Sequence, residues 1–123
     1  MPCDFDRSPP DPELFNRHAE AVARRLHQAP DMMNKTTQIR RFYDELVGWQ
    51  ERIQGDDEQF RQYEAYLRML NAKVAYAKGR KLVDDVFHQW FSDCLRTTTS
   101  ARALDHFRLH FEAVLGFLKS LRA

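Results

Sequence analysis

Apolar residues recur along this chain at helical spacing from one end to the other. Phe60, Tyr63, Leu67, Leu70, Val74 and Ala77 follow one another at intervals of 3, 4, 3, 4 and 3, which sets them on one face of a helix. That helix is expected to open at Asp56-Asp57-Glu58, where acids suit the N-terminal dipole, and to persist through Gly79. A second stripe, Ile39, Phe42, Tyr43, Leu46, Trp49 and Ile53, predicts a helix with Thr36-Thr37 as its capping signal and Gly55 as its stop. Gly48 inside it should cost about 1 kcal/mol relative to Ala and so suggests a close helix crossing. Trp49 and Trp90, both on apolar stripes, are expected in the core.

Three more segments share the period. One starts near Asp11-Pro12, carries Leu14, His18, Ala21, Val22, Arg25 and Leu26, and ends at Pro30 before the loop Pro30-Asp31-Met32-Met33-Asn34. One runs from about Leu82 to Leu95 with Val83, Val86, Phe87, Trp90, Phe91 and Cys94 inward. The polar break Thr97-Thr98-Thr99-Ser100 leads into the last, Ala101 to Leu121, striped by Leu104, Phe107, Phe111, Val114, Leu118 and Leu121. Leu109, Leu115 and Phe117 fall off that stripe, which makes this helix either the central one or part of a subunit contact. No alternating runs suggest strands. The expectation is an all-α fold: a compact single-domain bundle of about five helices over residues 11–123, preceded by a flexible N-terminal extension, residues 1–10.

Composition narrows the class. With 123 residues, 43% hydrophobic and 30% charged, the chain has the make-up of one folded domain rather than a disordered segment. No apolar run approaches the roughly 18 residues a membrane span needs, and Met1-Pro2-Cys3-Asp4-Phe5-Asp6 lacks the order of a signal peptide. Cys3 and Cys94 give neither a disulfide framework nor a zinc site, so the reducing cytoplasm is the simplest placement.

Net charge is only +1, but the charge is unevenly distributed. Residues 71–81 hold four bases (Lys73, Lys78, Arg80, Lys81) and no acid, whereas residues 56–70 hold four acids and two bases. A cationic run of this kind, with Tyr76 inside it, suits a polyanion. Lys73, Tyr76 and Arg80 share one helix side turned away from the apolar stripe, a short ladder able to grip phosphates, with Gly79 allowing a close backbone approach. The competing reading is a solvated, lysine-rich helix end that favours its own dipole. Lys35, Arg40 and Arg41 gather at the start of the second helix, although Arg40 can pair with Asp44 and Arg41 with Glu45 at i, i+4. His106 and His110 are one turn apart, a spacing that can bind zinc, but no third ligand accompanies them; a packing role is the simpler reading, and a metal-dependent nuclease lacks the rest of its site. There is no nucleophile elbow and no phosphate-binding glycine loop.

Three segments, in order and spacing, carry a resemblance. They are Lys35-Thr36-Thr37-Gln38-Ile39-Arg40-Arg41-Phe42-Tyr43, Ala72-Lys73-Val74-Ala75-Tyr76-Ala77-Lys78-Gly79-Arg80, and His110-Phe111-Glu112-Ala113-Val114-Leu115-Gly116-Phe117-Leu118-Lys119. Together they resemble the small subunit of type III-A CRISPR effector complexes, the Csm small-subunit family, over about Glu13 to Lys119. The middle segment is the most specific. Relatives often carry Ala-Tyr where this chain has Gly116-Phe117, and an extra Ser after the paired Thr. The resemblance implies a non-catalytic, sequence-independent RNA-binding subunit with no cofactor and no metal. It would line up with other copies of itself in a filament, beside the backbone and large subunits of the effector, and support the guide RNA–target RNA duplex in antiviral defence. Carried over residue by residue, Lys35, Arg40, Arg41, Lys73, Lys78 and Arg80 would face RNA, with Tyr76 and Lys81 beside them. The alternative is a helical protein–protein adaptor without direct RNA contact, motivated by Leu109, Leu115 and Phe117.

Overall fold

The computed structural model describes residues 3–30 and 32–123; Met1, Pro2 and Asp31, part of the expected extension and first loop, lie outside the described residues. The helices are α1 (Arg17–His27), α2 (Thr36–Ile53), α3 (Asp57–Arg68), α4 (Leu70–Gly79), α5 (Asp85–Arg96) and α6 (Ala101–Leu121), with no strand among the described residues. The all-α expectation holds. α3 and α4 are the two halves of the helix expected as one. Only Met69 parts them, with dihedrals still in the right-handed helical region. The turn tightens there: the Ala72 N–H bonds the Met69 carbonyl at 3.0 Å, an i to i−3 bond. The bundle is thus five helical units, the third interrupted.

The interruption matters because the two halves have different neighbours. α3 packs on α2, whereas α4 packs on α5. Past Met69 the space between α2 and α4 opens as a cleft. Arg68, the last residue of α3, holds the junction in place. Its guanidinium is gripped by Glu64 (Nη2 to Oε2, 2.7 Å) and donates to the carbonyls of Leu95 (2.7 Å) and Thr98 (3.0 Å) at the end of α5. The Leu95 carbonyl also accepts the Thr98 N–H at 3.1 Å, so Arg68 adds charge-assisted bonds to a turn that already closes α5.

α6 is the central helix, packed along α1 and α2. Phe107 and Phe111 on it meet Phe87, Trp90 and Phe91 of α5 in an aromatic cluster; Trp90 stands edge-on to Phe111 with ring centroids 5.0 Å apart. Burial of each such ring contributes roughly 1.5–3 kcal/mol. The off-stripe residues of α6 turn inward too: Leu115 is buried, Phe117 packs against the edge of the core and Leu109 is half-buried. Tyr43 of α2 donates its hydroxyl to Glu112 (3.0 Å), while Arg108 pairs with the same carboxylate at 2.7 Å, tying α2 to α6.

Element ends follow side-chain chemistry. Asp56, Asp84 and Ser100 cap α3, α5 and α6 by accepting the N–H of Glu58, Phe87 and Ala103. α2 ends at Gln54 and Gly55, both at positive φ, as the glycine signalled. Four sequence expectations need correction. α1 begins at Arg17, because Asp11 spends its carboxylate on the Glu13 N–H (2.8 Å) in a separate turn. α2 has no side-chain cap: Lys35 is the N-cap, and the Thr36 hydroxyl accepts from Arg122 (3.1 Å). α5 starts at Asp85 rather than Leu82, since Lys81 is left-handed (φ 62°) and the Leu82 N–H still bonds back to Ala77 (3.0 Å). Gly48 and Gly79 face open space, so neither marks a close approach.

The fifth correction concerns residues 1–10, expected as a flexible extension. Phe5 is fully buried and stacks on Phe107 at 5.3 Å. The His106 Nδ1 meets the Phe5 carbonyl at 2.6 Å, and Ser100 bonds Asp6. The stretch containing Phe5 is therefore docked. Periodicity missed it because a single anchoring ring has no period.

Candidate nucleic-acid interface

The cleft between α2 and α4 encloses about 930 Å³. Buried Phe42 and Ala77 form its apolar floor, with exposed Leu82 at its edge; Arg41, Lys73, Tyr76 and Arg80 stand on its walls. Four of the eight residues singled out from sequence are therefore brought together, from two helices more than thirty positions apart. The i, i+3, i+7 ladder of α4 is intact, because α4 keeps its helical turn up to Gly79. Arg80 lies over the ring of Tyr76, its guanidinium carbon 5.8 Å from the centroid. Arg41 and Arg80 have no carboxylate within ion-pair distance among the described residues.

The other four stand outside the cleft. Arg40 pairs with Asp44 (3.8 Å) and covers the Tyr43 ring at 5.9 Å. Lys78 Nζ lies 2.8 Å from Asp85 Oδ1, and this hydrogen bond and charge hold the Asp85 carboxyl below the usual carboxylate range. Lys35 is exposed at the start of α2, and Lys81 is exposed at the left-handed turn after α4. The cationic run is thus split by the fold: Lys73 and Arg80 face the cleft, while Lys78 points toward α5.

Two acids, Asp44 and Glu45, also line the cleft, and the sequence reading had not placed them there. By its i, i+4 spacing Glu45 can pair with Arg41. It instead reaches Lys73 across the gap, Oε1 to Nζ 2.6 Å, which leaves Arg41 open to solvent. Nothing in the spacing along the chain signals a pair joining residues 45 and 73.

Aromatic residues extend the same seam. Trp49, expected in the core, is only half-buried: Tyr66 stacks on it at 6.1 Å and 15°, Tyr63 lies 5.7 Å away, and the Arg52 guanidinium caps it at 5.2 Å. Trp90 does lie in the core, its indole N–H donated to His110 Nε2 at 3.3 Å. The His110 Nδ1 bonds the Leu14 carbonyl at 2.7 Å. Both candidate zinc histidines therefore serve to fasten the segment before α1. No group of three metal-ligating side chains occurs among the described residues.

Fold and cleft together define a small all-α bundle with an open cleft flanked by cations and a tyrosine. The Csm2 Type III-A family model matches residues 9–123. The chain belongs to that family, the small subunits of type III-A CRISPR effectors. No curated protein matches it, and no solved structure matches it. No helix among the described residues is long and apolar enough to cross a membrane.

Proposed function

We propose that the α2–α4 cleft is the RNA-binding surface of a non-catalytic small subunit. It would hold the sugar-phosphate backbone of the guide RNA–target RNA duplex without reading bases, several copies standing side by side in the effector. The observation that carries this reading is the position of Arg41 and Arg80. They are two exposed guanidinium groups on the walls of one open cleft, without carboxylate partners among the described residues, and Arg80 lies 3.5 Å from the Tyr76 hydroxyl. A guanidinium binds phosphate through two parallel N–H bonds, and a phenol adds a third donor. Base pairing supplies sequence information in a guided complex, so the protein needs only charge and shape. Few cations per copy give weak affinity alone, multiplied when copies align along one strand.

The test is fluorescence anisotropy of labelled RNA with the full chain at about 50 mM and about 200 mM salt. Binding should weaken steeply with salt, as counterion release requires. The combined substitution Arg41→Ala, Lys73→Ala and Arg80→Ala should abolish most of it. Unchanged affinity in that variant would leave the adaptor reading, in which protein partners rather than RNA occupy the surface.

A further inference from the structure

The Lys73–Glu45 ion pair and the Trp49–Tyr66 stack fix the register of one antiparallel seam. Moving four residues up α2, from 45 to 49, corresponds to moving seven residues back, from 73 to 66. The seam therefore runs on from the cationic cleft, past Met69, to a second hollow of about 320 Å³ lined by Trp49, Arg52, Gln62, Tyr63 and Tyr66. From Tyr76 to Tyr66 is ten helical residues, roughly 15 Å along the axis, a span of a few nucleotides.

We infer that this hollow is a stacking site for one unpaired RNA base, a site distinct from the backbone-gripping cleft and resting on the RNA-binding reading above. Tyr66 is 58% exposed although its ring is already stacked on Trp49, so the ring offers a pre-ordered π-face to solvent. An exposed ring held flat loses little freedom when a base adds to the stack. Arg52 is itself held over the Trp49 ring, and its guanidinium together with the Gln62 amide gives the lining donors and an acceptor for a base edge. None of the five lining residues is acidic, unlike the main cleft with its Asp44 and Glu45. At about 320 Å³ the hollow lies at the small end of the range for ligand sites, roughly 300–1,000 Å³, a size that takes one aromatic heterocycle. Every base has a π-face, so the site adds affinity for single-stranded RNA without adding sequence preference.

The experiment compares a labelled uridine decamer with a decamer of the same backbone carrying abasic riboses, each titrated with the full chain while anisotropy and tryptophan fluorescence are read. Wild type is expected to bind the uridine decamer about fivefold to tenfold more tightly, the lower end of the range for one stacked base, with quenching of Trp49. Tyr66→Ala should remove that difference and leave the salt dependence unchanged; Tyr66→Phe should retain it. Equal affinity of wild type for both decamers, or a Tyr66→Ala variant that binds uridine like wild type, overturns the stacking site while the cleft reading survives. An oligomer that dissociates on Tyr66→Ala in sedimentation, with uridine affinity unchanged, makes the hollow a protein contact and overturns it as well. Failure of wild type to bind either decamer removes both readings.

Discussion

Lys73 and Glu45 meet across the α2–α4 cleft with Nζ 2.6 Å from Oε1, and both side chains remain substantially exposed, at 53% and 38%. A pair this wet contributes on the order of 0.2–1 kcal/mol, so an arriving phosphate can displace the carboxylate at small cost. Glu45 then acts as a brake on the cleft. Glu45→Gln is expected to tighten RNA binding by about threefold and to steepen its salt dependence by about one released counterion, since Lys73 becomes available to phosphate. Urea unfolding should show a loss below about 1 kcal/mol.

Arg41 and Arg80 line the cleft and lack an acid partner among the described residues, whereas Arg40 and Lys78 stand outside it, each paired with an acid. The double variant Arg41→Ala, Arg80→Ala should lower the logarithmic salt slope for single-stranded RNA by about 1.4, at about 0.7 per phosphate contact. Arg40→Ala, Lys78→Ala removes the same formal charge from already neutralised pairs and should change the slope by less than half as much. Equal effects from the two variants would mean that overall charge, not the cleft, governs binding.

Lys81 holds a left-handed conformation at φ 62°, with its N–H on the Lys78 carbonyl (2.9 Å) and the Leu82 N–H on the Ala77 carbonyl (3.0 Å). This is the hydrogen-bond pair of a Schellman ending, where glycine is the favoured residue. Lys81→Gly is expected to stabilise the fold by up to about 1 kcal/mol, read by thermal unfolding. Because Lys81 stands outside the cleft, RNA affinity should fall by no more than about twofold.

How much of this was legible follows from the range of each interaction. Helical faces are local, so the periodicity gave the all-α bundle, and Asp56 and Ser100 sit where capping chemistry pointed. The break at Met69 was not legible. Its stripe continues unbroken from Leu67 to Leu70, and the cause lies in what each half packs against, α2 for α3 and α5 for α4. The ladder Lys73–Tyr76–Arg80 was readable from spacing, whereas the loss of Lys78 to Asp85 and of Lys73 to Glu45 depended on the paths of neighbouring helices. Trp49 looked like core because it lies on an apolar stripe; it stands at the edge of the core, half-covered by Tyr63, Tyr66 and the Arg52 guanidinium.

Phe5 fills a site against Phe107 and His110 at the centre of the bundle. Phe5→Ala should cost about 3–5 kcal/mol, the usual range for emptying a buried aromatic site. The Phe5 carbonyl would also lose its hold on His106. Hydrogen exchange should then rise over residues 4–16 well before it rises in α6. A loss below about 1 kcal/mol would return this segment to the mobile extension expected from sequence.

His110 gives the fold a dependence on pH. Its Nδ1–H donates to the Leu14 carbonyl, and its Nε2 accepts from the Trp90 indole, an arrangement that requires the neutral ring. Burial pushes its pKa below the ordinary 6.5; the Leu14 hydrogen bond pulls the other way, and the charge of His18 adds to the downward push. In the unfolded chain the imidazole takes up its proton near 6.5, so below that pH the unfolded state binds more protons than the folded one. The contribution of His110 is therefore complete above about pH 6.5 and declines as pH falls from there toward the depressed folded value, by at most about 1.4 kcal/mol per pH unit. Urea unfolding at pH 7.5 and pH 5.5 should show this loss in the wild type. His110→Phe should be less stable at pH 7.5, because the Trp90 N–H and the Leu14 carbonyl lose their partner, yet show a smaller drop on acidification. The same drop in both proteins would assign the dependence to other groups.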